Sequence, residues 1–323
     1  LFVYDTDSDL IAFDRFFNLD KYLPKNSLLV LNDTKVVPAR IVLTKETGGK
    51  VEALFLVNEW NGSGPIPALV NTKVTVGAKL FLDRGRYFIA TAQDKNIFYF
   101  EPQFPAKEIL PILERRGVTP IPKYIKNSGL SEKELRQKYQ TVFGKKPASV
   151  AAPTASLHFT ERLFNKLKKE GIKRTFVTLD VGLGTFAPVT AESIKAGKLH
   201  TEFLNIPAVS IAAIRQHKKE HYPVVAVGTT AIRAIESEAG KILSSTPARP
   251  ITDATQIFIR PPYKFRIVNA IVTNFHLPGT SLLMLAQAFL ENKNAKRTLI
   301  DLYNVAIKEK FRFYSFGDAM LIK

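Results

Sequence analysis

Apolar residues along this chain recur in two rhythms, and the change between them divides the sequence. Apolar runs at residues 1–4 and 27–31 read as two strands, the second closing on Asn32, Asp33 and Thr34. After the turn cluster ETGG at 46–49 the runs shorten. They cover residues 51–57, 66–70, 78–82, 86–91 and 96–100, are rich in β-branched and aromatic residues, and are separated by Gly, Asn or Asp. That spacing predicts a small all-β sandwich or barrel. Pro102, Pro105, Pro111, Pro120 and Pro122 mark the return from it. A charged helix over 130–139 opens on Ser131 with Glu134 three residues later, a capping-box pattern.

From about residue 148 the rhythm becomes strand, then helix. Thr160 caps a helix over 160–169 that Gly171 stops. Strands at 174–179, 224–227, 267–273 and 319–322 alternate with helices at 207–215, 231–239, 282–290 and 298–310. This alternation predicts an α/β fold: a main α/β domain with a mixed sheet, built from residues 1–48 and 111–323. A small β-barrel domain at 49–110 interrupts it. Leu1 already lies inside an apolar run, so a further N-terminal piece of the first domain is expected to precede it.

Composition narrows the class. With 323 residues, 46% of them hydrophobic, the chain can bury one large core or two smaller ones. No apolar run approaches the ~20 residues of a membrane span, and no secretory signal opens the sequence. No membrane partner is therefore expected, and a cytoplasmic location is. The absence of cysteine excludes disulfides, thiolate zinc sites, iron–sulfur clusters and thiol nucleophiles. The 46 Lys and Arg against 29 Asp and Glu leave a net charge of +17. Basic stretches are spread along the chain, so a broad positive face that draws in polyanions is expected, with nucleic acid the favoured partner. A Lys-rich solvated surface is the plain alternative.

Candidate chemistry gathers where strands hand over to the next element, the place at which α/β domains bind ligands. Five such junctions are polar: Asn32, Asp33 and Thr34; residues 180–186 with Gly182, Gly184 and Thr185; Thr229 and Thr230 after Gly228; Thr273, Asn274, Phe275 and His276; and residues 315–318, ending on Asp318. One junction alone would be ordinary helix capping; five in one domain point to a shared pocket. The VGLGT stretch lacks the third glycine of a dinucleotide fingerprint, and its glycines indicate only a close approach to backbone. His217 and His221 have metal-ligand spacing, but Lys218 and Lys219 between them favour a solvated basic face. His158 is either a capping-region histidine or a site residue. Arg233 either grips a carboxylate or phosphate or closes an internal salt bridge.

These junctions also carry a family likeness. VAAPTASLHFT (150–160), TLDVGLGTF (178–186), AVGTT (226–230), TNFHLP (273–278) and FYSFGDAM (313–320) resemble the S-adenosylmethionine:tRNA ribosyltransferase-isomerases of queuosine biosynthesis. So do LLVLNDT (28–34), PAR (38–40) and YQTV (139–142), and the likeness runs in order along nearly the whole chain. It departs at Asp180, where the family carries His.

The resemblance implies an α/β domain with an inserted barrel. It also implies transfer and isomerisation of the ribosyl part of S-adenosylmethionine onto 7-aminomethyl-7-deazaguanine at the tRNA wobble position. The products would be epoxyqueuosine-tRNA, adenine and methionine. S-adenosylmethionine is then a co-substrate, with no true cofactor, no metal, and a monomer expected. On this reading His276 is an acid/base group, and Asp33 or Asp318 accepts N–H donors from the deazaguanine edge. Asn274 holds ribose or adenine, and Phe275 faces the sulfonium. Asn32, Thr34, His158, Gly182, Gly184, Thr185, Thr229, Thr230 and Arg233 complete the expected substrate contacts. Two rivals are an S-adenosylmethionine-dependent tRNA methyltransferase and a non-catalytic basic RNA-binding protein.

Overall fold

The computed structural model describes residues 1–122, 125, 129–182 and 189–323. Its centre is a nine-stranded mixed sheet. In spatial order the strands are Ile251–Ile257, Lys198–Ile206, Lys173–Leu179, Leu28–Asn32, Val224–Val227, Ala270–Asn274, Ala319–Ile322, Phe2–Asp5 and Leu10–Phe13. The four from Lys173–Leu179 to Ala270–Asn274 run parallel to one another. Ala319–Ile322 runs antiparallel to the last of these.

Strand side chains point alternately to opposite faces, and here successive residues enter two different cores. Leu28, Val30, Val224, Ala226 and Ile271 join one; Leu29, Leu31, Val225, Val227 and Val272 join the other. Both faces are covered, which is why these strands are continuous apolar runs rather than alternating ones. The helices Ala208–Lys219, Thr229–Ser237, Ser281–Asn292 and Leu299–Lys308 supply the first core, and Glu161–Lys169 the second.

The second module is a closed six-stranded barrel, in the order Ile97–Pro102, Ile66–Val70, Lys50–Phe55, Arg40–Lys45, Lys79–Phe81, Tyr87–Asp94. Every second residue fills it: Ile41 and Leu43, Val51 and Ala53, Phe98 and Phe100. The helix Ile109–Arg116 closes one opening with Ile109, Ile112 and Leu113, three residues on one helical face. The barrel thus starts earlier than the change of rhythm at residue 49 suggests. The ETGG cluster is a hairpin turn inside the barrel, with Gly48 at φ 83° and its N–H bonded to Lys45 O at 2.9 Å. Arg40–Lys45, read from sequence as part of the main domain, is the barrel strand on the near side of that turn.

Candidate functional site: a cavity at the strand ends

Parallel strands bring their carboxyl ends to one edge of the sheet. At that edge Val224–Val227 gives way to Gly228, which sits at φ 83° and ψ 151°, a backbone region open to glycine alone. This lets the chain turn straight into the helix Thr229–Ser237, whose first N–H groups point outward. Beside it, Ala270–Asn274 leads to His276. The antiparallel register pairs Asn274 with Ala319, which carries Asp318 to the same edge.

The result is a small cavity lined by Thr154, Val181, Thr229, Thr230, Thr273, Asn274, His276 and Leu282. A second small cavity shares Thr154, Asn274, His276 and Leu282 and extends to Tyr314 and Ser315. Thr230 Oγ1 is buried without a partner among the described residues. Asn274 is anchored through Oδ1, which accepts from Thr154 Oγ1 at 2.8 Å. Among the described residues its Nδ2 makes only a 3.5 Å contact with Asp318 O, leaving donor capacity for a ligand.

His276 is held at both ends. Its backbone N–H donates to Tyr303 Oη at 2.7 Å, and Nε2 lies 2.7 Å from Thr273 Oγ1. The residue is only half-buried by exposed area, yet protein packs densely around the ring, and that desolvation pushes the imidazole down to about 4. It is neutral at pH 7, and Nδ1 has no hydrogen-bond partner among the described residues. His158 stacks on Phe16, with ring centroids 4.9 Å apart. Burial also lowers it to about 4, against the opposing charge of Asp318. Burial pushes the Asp318 carboxyl up, but the hydrogen bonds of Arg312, including N at 2.8 Å and Nη2 at 3.0 Å, bring it below the ordinary range.

Other expected residues take different places. Asn32 is fully buried and works as a substitute peptide group: Nδ2 donates to Leu179 O at 3.0 Å, and Oδ1 accepts from Leu179 N at 3.0 Å and Thr34 N at 3.1 Å. Thr34 Oγ1 meets Ser149 Oγ at 2.6 Å. Asp33 takes the Thr178 hydroxyl at 2.7 Å. Arg233 is buried in an ion pair with Glu202, so the salt-bridge alternative holds for it. The Phe275 ring is fully buried against Phe313 and Tyr303, at 4.7 and 5.4 Å between centroids. Gly182 faces the barrel: a Cβ there would meet Asn58 Nδ2 at 2.7 Å. Gly184 and Thr185 lie outside the described residues. His217 is buried, bonded through Nδ1 to Ala213 O at 2.7 Å, and His221 lies beyond the helix end at φ 58°. The solvated face expected of this pair therefore does not apply to His217.

Thr154, Tyr303 and Tyr314 also line or brace the cavity, and the sequence did not single them out. Thr154 lies in the same apolar-polar stretch as His158, a usable signal. Tyr303 arrives from a distant helix and had none. Tyr314 sits at φ 72°, a strained conformation for a bulky residue, with its N–H bonded to Phe275 O at 3.0 Å. Among the described residues no three His, Cys, Asp or Glu side chains gather as a metal-binding group, and no helix is long and apolar enough to cross a membrane.

Fold and cavity together define a mixed-sheet α/β protein with an inserted barrel and, at its parallel strand ends, a pocket that carries threonine, asparagine and histidine side chains. The chain belongs to the family described as Queuosine biosynthesis protein, which it matches over residues 1–322. It is 39% identical over 335 residues to the S-adenosylmethionine:tRNA ribosyltransferase-isomerase of Caldanaerobacter subterraneus subsp. tengcongensis, covering 100% of this chain and 92% of that relative. The Fusobacterium nucleatum enzyme of the same name is 38% identical, with 100% and 89% covered. Among solved structures, the S-adenosylmethionine tRNA ribosyltransferase of Thermotoga maritima aligns with a TM-score of 0.52 at 29% identity. That alignment covers 100% of this chain and 91% of the other.

Proposed function

We propose that this chain is an S-adenosylmethionine:tRNA ribosyltransferase-isomerase of queuosine biosynthesis. Its substrate would be tRNA bearing 7-aminomethyl-7-deazaguanine at the wobble position, and its products epoxyqueuosine-tRNA, adenine and methionine. The observation that carries the reading is the convergence of Thr229, Thr230, Asn274 and His276 on one cavity, in a chain that matches the family along its length. The residues fit the demands of the donor. The first turn of Thr229–Ser237 has no side-chain cap among the described residues and presents its N–H groups and a positive dipole end to a carboxylate, such as that of the methionyl part. Asn274 has an amide hydrogen left for a ribose hydroxyl or adenine nitrogen.

The C5′ hydrogens next to a sulfonium are acidic, and their removal needs a base that is unprotonated at neutral pH. His276, held neutral by desolvation and oriented by Thr273 and Tyr303, meets that need. Asp318 is tied to Arg312 and serves on this reading to fix the loop that carries Tyr314 and Ser315 along the cavity. The net charge of +17 supports a polyanionic second substrate.

Incubation of the protein with S-adenosylmethionine and the modified anticodon stem-loop tests the reading. Free adenine released only when the RNA is present is the expected product. Accumulation of S-adenosylhomocysteine would instead mark a methyltransferase, and an unconsumed donor would leave only RNA binding.

A further inference from the structure

Away from the strand-end cavity, barrel and sheet meet at a larger cleft of about 820 Å³, open to solvent. The barrel contributes Asn58, Trp60 and Tyr99; the sheet side contributes Asp180 and Phe203. Asn58 is 4% exposed, and its Oδ1 is buried with no hydrogen-bond partner among the described residues. Asp180 Oδ1 is in the same condition, while its backbone N–H is tied to Phe203 O at 2.9 Å. Burial raises this carboxyl to about 7, with Lys146 opposing.

Two buried acceptors without donors are a standing cost unless a ligand brings the hydrogens. The walls are aromatic. Trp60 is fixed by its Nε1–H, which donates to Ser63 O at 3.0 Å, and Phe203 is 49% exposed on the opposite wall. A planar ligand with two adjacent N–H donors on one edge satisfies this lining. Among nucleobases, guanine's N1–H and exocyclic amine form such an edge, whereas adenine and cytosine each offer an amine beside an acceptor.

We propose that this cleft receives a guanine-type base extruded from RNA, with its donor edge against Asn58 and Asp180 and its ring against Trp60. The proposal rests on the reading of the chain as an RNA-modifying enzyme and names where its second substrate sits. The neighbour of Asp180, Val181, lines the strand-end cavity. One step of backbone therefore separates the place for the sulfonium donor from the place for the acceptor base. Binding by the six-membered ring edge leaves the five-membered ring, which carries the aminomethyl arm, free of the cleft floor.

The test is equilibrium binding of two anticodon stem-loop RNAs that differ only in guanine or hypoxanthine at the wobble position, the latter lacking the exocyclic amine. Wild-type protein binds the guanine RNA at least about tenfold more tightly, the scale set by an unpaired buried acceptor. Asn58→Ala and Asp180→Ala reduce the ratio to under about twofold by weakening the guanine RNA, whereas Asn58→Asp and Asp180→Asn, which keep an acceptor oxygen, retain it. Unchanged S-adenosylmethionine binding by each variant shows that it is folded. Equal binding of both RNAs by wild type, or full discrimination by the alanine variants, overturns the proposal. RNA-dependent adenine release by wild type is a separate readout. If it occurs while the variants still discriminate, only the base pocket falls; if it is absent, the reading beneath falls too.

Discussion

His276 and Asn32 occupy neighbouring strand ends, yet the structure gives them opposite work. His276 is partly open and neutral, with no partner at Nδ1 among the described residues; Asn32 is closed in, with its amide spent on Leu179 and Thr34. His276→Ala is expected to lower kcat by about 10²–10⁴-fold with little change in KM, the usual loss for a general base. A base held near 4 is already unprotonated at neutral pH. Activity should therefore rise with pH through about 4 and show no inflection at the ordinary histidine value of about 6.5. An inflection near 7 would belong to Asp180 and vanish in Asp180→Asn. Asn32→Ala leaves a buried N–H and C=O of Leu179 unpaired. Denaturant unfolding should show a loss of about 2–5 kcal/mol, while folded protein keeps its affinity for S-adenosylmethionine. At this scale the sequence was half legible. It marked Asn32, Thr229, Asn274 and His276 as polar groups at strand ends, but which side of the backbone an amide faces depends on the neighbouring strand. Leu179 is 147 residues from Asn32, and no local pattern reports that contact. Arg233 shows the same limit, since its partner Glu202 belongs to another strand.

Among the elements, the junction of Val224–Val227 with the helix Thr229–Ser237 matters most, because it aims a helix N-terminus into the cavity. Gly228 makes it possible. Gly228→Val should cost about 1–3 kcal/mol of stability through backbone strain. It should also weaken S-adenosylmethionine binding by displacing the first helical turn, which calorimetry can measure alongside the melting temperature. Strands with unbroken apolar runs were readable in the sequence, since burial on both faces leaves no polar positions to confuse the period. Lys198–Ile206 and Ile251–Ile257 were not. They lie at one side of the sheet with mixed burial, and their polar residues hide the alternation. The barrel was legible from its short β-branched runs, but its first strand was not, because an internal hairpin turn resembles a boundary.

Taken whole, the molecule joins a sheet with two cores to a barrel, and the cleft between them adjoins the strand-end cavity through residues 180 and 181. A net charge of +17 spread along the chain predicts that affinity for RNA is electrostatic in large part. Between roughly 50 and 200 mM salt, affinity for the anticodon arm should fall by about 10³-fold or more, as expected when some six phosphates are neutralised. S-adenosylmethionine affinity should barely change over that range. Class and architecture were visible in the sequence because charge, missing cysteine and rhythm are bulk properties. The cleft was not visible, because Asn58 and Asp180 meet only once barrel and sheet are packed together.

On the proposed reading, the cavity built by Thr229, Thr230, Asn274 and His276 holds the sulfonium donor. A crystal structure of the protein soaked with S-adenosylmethionine tests it most directly. The donor's carboxylate is expected at the N-terminus of Thr229–Ser237, with its ribose within hydrogen-bonding reach of Asn274 and His276. Well-ordered donor bound elsewhere, with that cavity filled only by water, would contradict it.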